Sequence, residues 1–283
     1  MKDGDGLNTK LILVEGIPGS GKSTFAGRIA THYKAQGHQV CLYNEGDYHP
    51  TDVAWNACIP VEALEAALAP FQAFRAEIDR HLRREGDRAI LPYTKVETDD
   101  PGFFPAMERY EVYDSRVPFP VFEELLLQRW SAFGRDAANR DELNVFECAF
   151  LQNHVNELMN FQLADGERMK AHCRALMGTV RGLSPVLIYL AQPNVRAAME
   201  RIAAERVSPD GSWIEGITGY LEQTPYGKQQ GLRGFDGVVR AYEERQRAEL
   251  EIVHSLPIPS IVLENHGNDW DGLWATLVER LPN

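Results

Sequence analysis

Gly16-Ile17-Pro18-Gly19-Ser20-Gly21-Lys22-Ser23-Thr24 is the stretch on which the reading of the fold turns. It satisfies the spacing GxxxxGK[ST] at every fixed position. Glycines there let backbone N–H groups turn inward and approach phosphate oxygens with no Cβ in the way. The lysine that follows reaches β- and γ-phosphates, and the Ser23 hydroxyl suits a Mg2+ ligand. Gly16, Pro18, Gly19, Ser20, Gly21, Lys22, Ser23 and Thr24 are therefore the expected nucleotide-binding residues, with Lys22 also acting in catalysis.

The flanks support this reading. Residues 10–15 (KLILVE) form a continuous apolar run, as buried parallel strands do. Ala26, Ile29, Ala30 and Tyr33 then recur at helical spacing, Gly37 stops the helix, and residues 39–43 (QVCLY) read as a second buried strand. Strand, turn, helix and strand make a right-handed βαβ unit, whose helix adds its positive end to the anion site. Further strands are expected at 144–150, 185–190 and 260–263, with helices over 155–164, 167–180 and 237–254. Trp270, Leu273, Trp274, Leu277, Val278 and Leu281 mark a closing helix. The predicted class is α/β: a P-loop NTPase three-layer α/β/α sandwich with a mainly parallel five-stranded sheet.

Residues 60–140 interrupt the alternation and are expected to form a mostly helical insertion that binds the acceptor. Val61, Leu64, Leu68, Phe71, Ile78 and Leu82 predict a long amphipathic helix, entered at Pro60, kinked or broken at Pro70 and stopped at Gly86. Residues 92–120 read as irregular, and Phe122, Leu125, Leu126, Arg129, Trp130 and Phe133 form a second helical stripe. Residues 207–235, rich in Gly, Gln and Ser, read as a mobile loop, and the lid is assigned to about 205–235. Residues 1–9 are expected to be a flexible N-terminus before a single domain over 10–283.

Composition narrows the partners. The 283 residues carry 41 acidic and 29 basic side chains, a net charge of −12, which argues against a broad nucleic-acid surface. No apolar run approaches bilayer thickness, and the polar start MKDGDGLNTK lacks a signal peptide's apolar stretch. Four scattered cysteines without CxxC spacing read as free thiols of a reducing compartment. A soluble, cytoplasmic protein is expected, with a small-molecule acceptor, no nucleic-acid or membrane partner, and room for a homodimer.

Candidate chemistry follows the second strand, in Tyr43-Asn44-Glu45-Gly46-Asp47-Tyr48-His49-Pro50. Ligands of open α/β sheets bind beyond the carboxyl ends of parallel strands. A carboxylate there can orient and deprotonate an attacking hydroxyl. Glu45 and Asp47 both qualify, with His49 beside them as a substrate contact, and the residues alone leave that choice open. Glu147, inside the apolar NVFECAF, is costly to bury unpaired and is expected to act on Mg2+ with Ser23. Gln152 and Asn153 lie just past that strand as substrate contacts, and Arg116 is a further acceptor-site candidate. Arg201, Arg206, Lys228 and Arg233 are candidate lid cations for the charge that spreads over a transferring phosphate, with Arg206 foremost and catalytic. Residues 99–102 fit DxxG without a preceding strand, and 265–269 (NHGND) is not NKxD, so ATP is expected rather than GTP.

The arrangement resembles the nucleoside and nucleotide kinases, thymidylate and deoxynucleoside kinases in particular. Glu15-Gly16 looks like the opening of the thymidylate kinase loop. Residues 185–206 (PVLIYLAQPNVRAAMERIAAER) resemble that family's fourth strand and lid-entering helix, including Arg201 and Arg206. Glu45 followed by Trp55 is similar to deoxynucleoside kinases, whereas Asp47 followed by His49-Pro50 is similar to zeta-toxin and chloramphenicol phosphotransferase kinases. The DRY/DRF and ERS strings of these families are absent, and the insertion is larger. The resemblance implies ATP- and Mg2+-dependent phosphoryl transfer to a hydroxyl of a small molecule, a nucleoside, nucleotide or antibiotic-like metabolite. A nucleotide-binding switch or an ATPase without such an acceptor is the competing expectation.

Overall fold

The computed structural model describes residues 7–208, 211–267 and 269–282, so the expected flexible N-terminus lies outside the described residues apart from 7–9. The chain opens with β1 (Leu11–Glu15), α1 (Lys22–Ala35) and β2 (Val40–Tyr43). It continues through β3 (Ala57–Pro60), α2 (Leu64–Leu68), α3 (Arg75–His81), β4 (Arg83–Glu85), β5 (Arg88–Leu91), α4 (Phe103–Glu108) and α5 (Phe119–Ala138). Next come β6 (Leu143–Glu147), α6 (Gln152–Asn156), α7 (Gly166–Val180), β7 (Val186–Ala191) and α8 (Val195–Glu205). The short strands β8 (Val207–Ser208) and β9 (Gly211–Ser212) lead to α9 (Trp213–Gln223), α10 (Pro225–Gln230), α11 (Gly234–Ser255), β10 (Ser260–Glu264) and α12 (Trp270–Val278).

Five strands form an all-parallel sheet in the order β10-β7-β1-β6-β2. Parallel strands buried on both sides need apolar residues on both faces, which is why β1 reads LILV without alternation. Ile12 and Val14 pack with Phe25, Ile29 and Tyr33 of α1 and Leu277 of α12. Leu11 and Leu13 pack with Phe122, Leu126 and Trp130 of α5 and Leu176 of α7. Helices therefore cover both faces, an arrangement compatible with a three-layer α/β/α sandwich. Each large apolar side chain so buried contributes about 1.5–3 kcal/mol. From β1 the chain crosses through α1 to the edge strand β2, and β6 later fills the gap between them. That crossover leaves the carboxyl ends of β1, β6 and β2 facing a common opening.

Residues 60–140 are mostly helical, with one feature the sequence reading did not include. The insertion contains an antiparallel sheet, β3-β5-β4, with its own core of Ile59, Leu64, Leu68, Phe71, Ile78 and Phe103. The long helix predicted over 60–86 is broken into α2, a 3-10 stretch Ala69–Phe74 and α3, with Phe71 off helical geometry at φ −109°, ψ 28°. Pro70, lacking an N–H and crowding the preceding turn, cannot sit within a continuous helix. The helix expected over 155–164 is α6 followed by a π-helical turn, Glu157–Phe161. The mobile loop predicted over 207–235 is mostly helix, α9 and α10. Ser212 caps α9 reciprocally with Glu215, and the Thr224 side chain accepts from Gly227 N–H at the start of α10.

Candidate functional site

The carboxyl ends of β1, β6 and β2 border a cavity of about 1020 Å³, which exceeds the volume one small ligand needs. Pro18, Gly19, Gly21, Lys22, Ser23 and Thr24 line it. Gly16 and Ser20 form the back of the loop. A Cβ on Gly16 would meet the Leu190 carbonyl oxygen at 2.6 Å, at φ +146°, and the Ser20 carbonyl accepts from Asn265 Nδ2 at 2.7 Å. Gly21 caps α1 in the left-handed region at φ 96°, and no side chain caps the helix. Among the described residues, the first-turn amides of Lys22, Ser23 and Thr24 have no protein acceptor. These N–H groups and the helix dipole make an anion-binding end.

Glu147 stands at the end of β6, in register with Val14 of β1. It accepts hydrogen bonds from Ser23 Oγ (3.1 Å), the Glu45 backbone N–H (3.0 Å) and Cys148 Sγ (2.9 Å). Gln152 Nε2 in turn donates to Glu45 Oε1 at 2.7 Å. One carboxylate thus ties the glycine-rich loop to the turn after β2. Carboxylate oxygens of Glu45 and Glu147 and the Ser23 hydroxyl form an oxygen-rich donor set that fits a hard divalent cation such as Mg2+.

Lys22 is buried and donates to the Ile17 carbonyl at 3.1 Å. Burial pushes its ammonium down, but Cys148, Glu147 and Glu45 outweigh this and leave it above its ordinary range. Burial drives the Cys148 thiol well up.

The structure separates the two second-strand carboxylates. Glu45 lines the cavity. Asp47 does not: its oxygens accept from the Asn44 amide at 3.2 Å and pair with Lys95 at 2.9 Å. His49 is also displaced from the site. Its Nδ1 accepts from Thr51 and Asp52 N–H groups, its ring packs on Phe146, and burial lowers it to about 3, so it is neutral. Asn153 lines the cavity and donates to the buried Asp52 at 2.7 Å. Arg116 lines it beside Glu108 and Glu111, with N···O separations of 3.7 and 3.8 Å. Of the lid candidates, Arg201 and Arg206 reach the cavity, Arg201 near the Gly19 carbonyl and Arg206 over the Trp213 ring. Lys228 and Arg233 are exposed and away from it.

Several lining residues carry no signal that local sequence reading detects. Arg245 and Tyr242 come from the interior of α11, and Trp270 from the start of α12. Glu108, Glu111 and Asp114 supply a wall of carboxylates with Trp55, Tyr113 and Tyr220. Burial raises Glu111 and Asp114, while Tyr93 donates to Glu111 and Tyr220 to Asp114 at 2.7 Å. Behind the loop, Glu15 is fully buried and accepts from the Phe150 and Gln152 amides at 2.7 and 3.2 Å. Burial pushes it up to about 8 against these bonds. In comparisons with protein-family models and with curated proteins, the sequence finds no match.

Proposed function

We propose that this protein is an ATP- and Mg2+-dependent phosphotransferase that moves the γ-phosphoryl group to a hydroxyl of a small molecule. The observation that carries this reading is the hydrogen-bonded series Ser23–Glu147–Glu45–Gln152, which joins an anion-binding helix start to the cavity-lining carboxylate of Glu45. The loop amides and Lys22 hold the phosphates. Ser23 and Glu147 would hold Mg2+, which would supply neutralisation of phosphate charge. Glu45 takes the proton of the attacking hydroxyl as its oxygen bonds to phosphorus and the bond to the ADP oxygen breaks. Gln152 fixes the Glu45 rotamer. Arg201 and Arg206 add positive charge from α8 and its end.

Three carboxylates, Glu108, Glu111 and Asp114, face one guanidinium, Arg116, along the remaining wall. Such a wall repels a phosphate-bearing acceptor and suits a neutral or amine-bearing hydroxylated one. This favours an antibiotic-like or other hydroxylated metabolite over a nucleotide.

The test is ADP release measured across a panel of hydroxylated metabolites. A phosphotransferase accelerates with some compound, and Glu45→Gln then lowers turnover about 100-fold, while Asp47→Asn stays within about threefold. Slow turnover indifferent to every acceptor, or an unimpaired Glu45→Gln protein, contradicts the proposal.

A further inference from the structure

Arg245 is 5% exposed in the middle of α11, yet it lines the cavity. Its Nε donates to Glu249 Oε1 at 2.7 Å, one helical turn away. Glu249 is itself fully buried and accepts from the Tyr189 hydroxyl at 2.6 Å through its other oxygen. Tyr189 lies in register with Glu15, the residue immediately before the glycine-rich loop. A series of three side chains therefore fixes this guanidinium relative to the sheet and the loop.

The remaining hydrogen-bonding capacity is unused. A guanidinium offers five N–H donors in a planar fork, and among the described residues only the one on Nε is paired. Nη2 is sealed from solvent and without an acceptor, and among the described residues Nη1 also has no protein partner. Leaving buried donors unmade is unfavourable, and an ion pair that uses one donor of five poorly offsets the desolvation of both charges. Apolar side chains would hold α11 on the sheet at lower cost. The arrangement is economical when an anion enters the cavity and accepts from Nη1. Lys22, the other buried cation of the lining, has the same shortage, with one carbonyl as its acceptor.

We infer that Arg245 is a phosphate ligand: Nη1, the guanidinium nitrogen that is not sealed off, donates to the terminal phosphoryl group of the nucleotide, Lys22 is the second cation, and Glu249 and Tyr189 are positioning residues. This rests on the proposed nucleotide site and assigns within it the residue that reads the third phosphate. The delocalised guanidinium, fixed through Nε by Glu249, aims the Nη1 donors in a set direction, which a flexible ammonium cannot do. Arg245 is held in place by α11 before any ligand arrives, unlike the exposed Arg206, so it lowers affinity little through side-chain ordering.

Calorimetry with a non-hydrolysable Mg2+–ATP analogue and with Mg2+–ADP tests this. The wild type prefers the triphosphate analogue. Arg245→Gln combined with Glu249→Gln removes both buried charges together and so preserves folding, checked by thermal unfolding. It is expected to weaken the triphosphate at least tenfold and the diphosphate by less than threefold. Arg245→Lys keeps the charge without the Nε anchor to Glu249 and the directed Nη1 donors, and is expected to lose most of the same preference. A wild-type ratio of the two affinities in either variant overturns the inference while leaving the nucleotide site standing. A wild-type protein that binds neither nucleotide overturns both.

Discussion

Ser23 and Glu147 lie 124 residues apart in the chain and meet at 3.1 Å between Oγ and Oε1. The contact joins the first turn of α1 to the end of β6, and Glu147 also holds the Glu45 amide. If this pair carries the cation, Glu147→Gln and Ser23→Ala should each raise at least tenfold the Mg2+ concentration needed for half-maximal nucleotide binding. Ser23→Ala should lower the melting temperature by no more than about 10 °C, since one hydrogen bond to a charged group contributes about 1.5–3 kcal/mol. A Mg2+ titration with a fluorescent ATP analogue reads this, and an unchanged midpoint in both variants contradicts it.

Glu15 makes stability depend on pH with a definite sign. Its carboxyl is pushed up to about 8 in the folded protein from an ordinary value of 4.5, chiefly by burial. Between those values the folded state keeps a proton that the unfolded chain releases. Stability from this group is full below the lower value and is lost as pH rises toward the upper one, by up to about 1.4 kcal/mol per unit. Urea midpoints measured from pH 5 to 9 should fall more steeply for the wild type than for Glu15→Gln. Parallel profiles would exclude the role.

Gly21 and Gly46 share a left-handed backbone but not their surroundings. At Gly21, φ is +96° and a Cβ would meet Trp270 Cζ3 at 2.3 Å; at Gly46, φ is +79° and nothing lies within 4 Å. Gly46→Ala should cost about 1 kcal/mol, the conformational penalty alone. Gly21→Ala adds overpacking of about 1–3 kcal/mol and displaces the first turn of α1. It should therefore lose nucleotide binding as well as stability, read by calorimetry and urea unfolding. Equal stability losses at the two positions would contradict the packing account.

Most of the sheet was legible because parallel strands buried on both faces leave continuous apolar runs, as in KLILVE and PVLIYL. The small antiparallel sheet was not, because β3, β4 and β5 are three or four residues long and the apolar stripe from Val61 to Leu82 mimics one helix. The helices α9 and α10 were not legible because their Gly and Gln content reads as loop, although Ser212 and Glu215 stand at capping-box spacing. Glu45 could not be told from Asp47 by spacing; the difference lies in Lys95 and Asn44, which claim Asp47 from the insertion and the turn. Arg245 was invisible for a different reason. Arg and Glu four apart on a charged helix ordinarily face water, and only the docking of α11 beside Tyr189 buries this pair.

Titration of the folded protein with ATP in the presence of Mg2+, followed by heat release, tests the central claim most directly. The account predicts one site per chain, with micromolar affinity or better, weakened at least tenfold in Lys22→Ala and dependent on Mg2+. No heat and no thermal stabilisation at millimolar Mg2+–ATP, in protein shown to be folded, would contradict it.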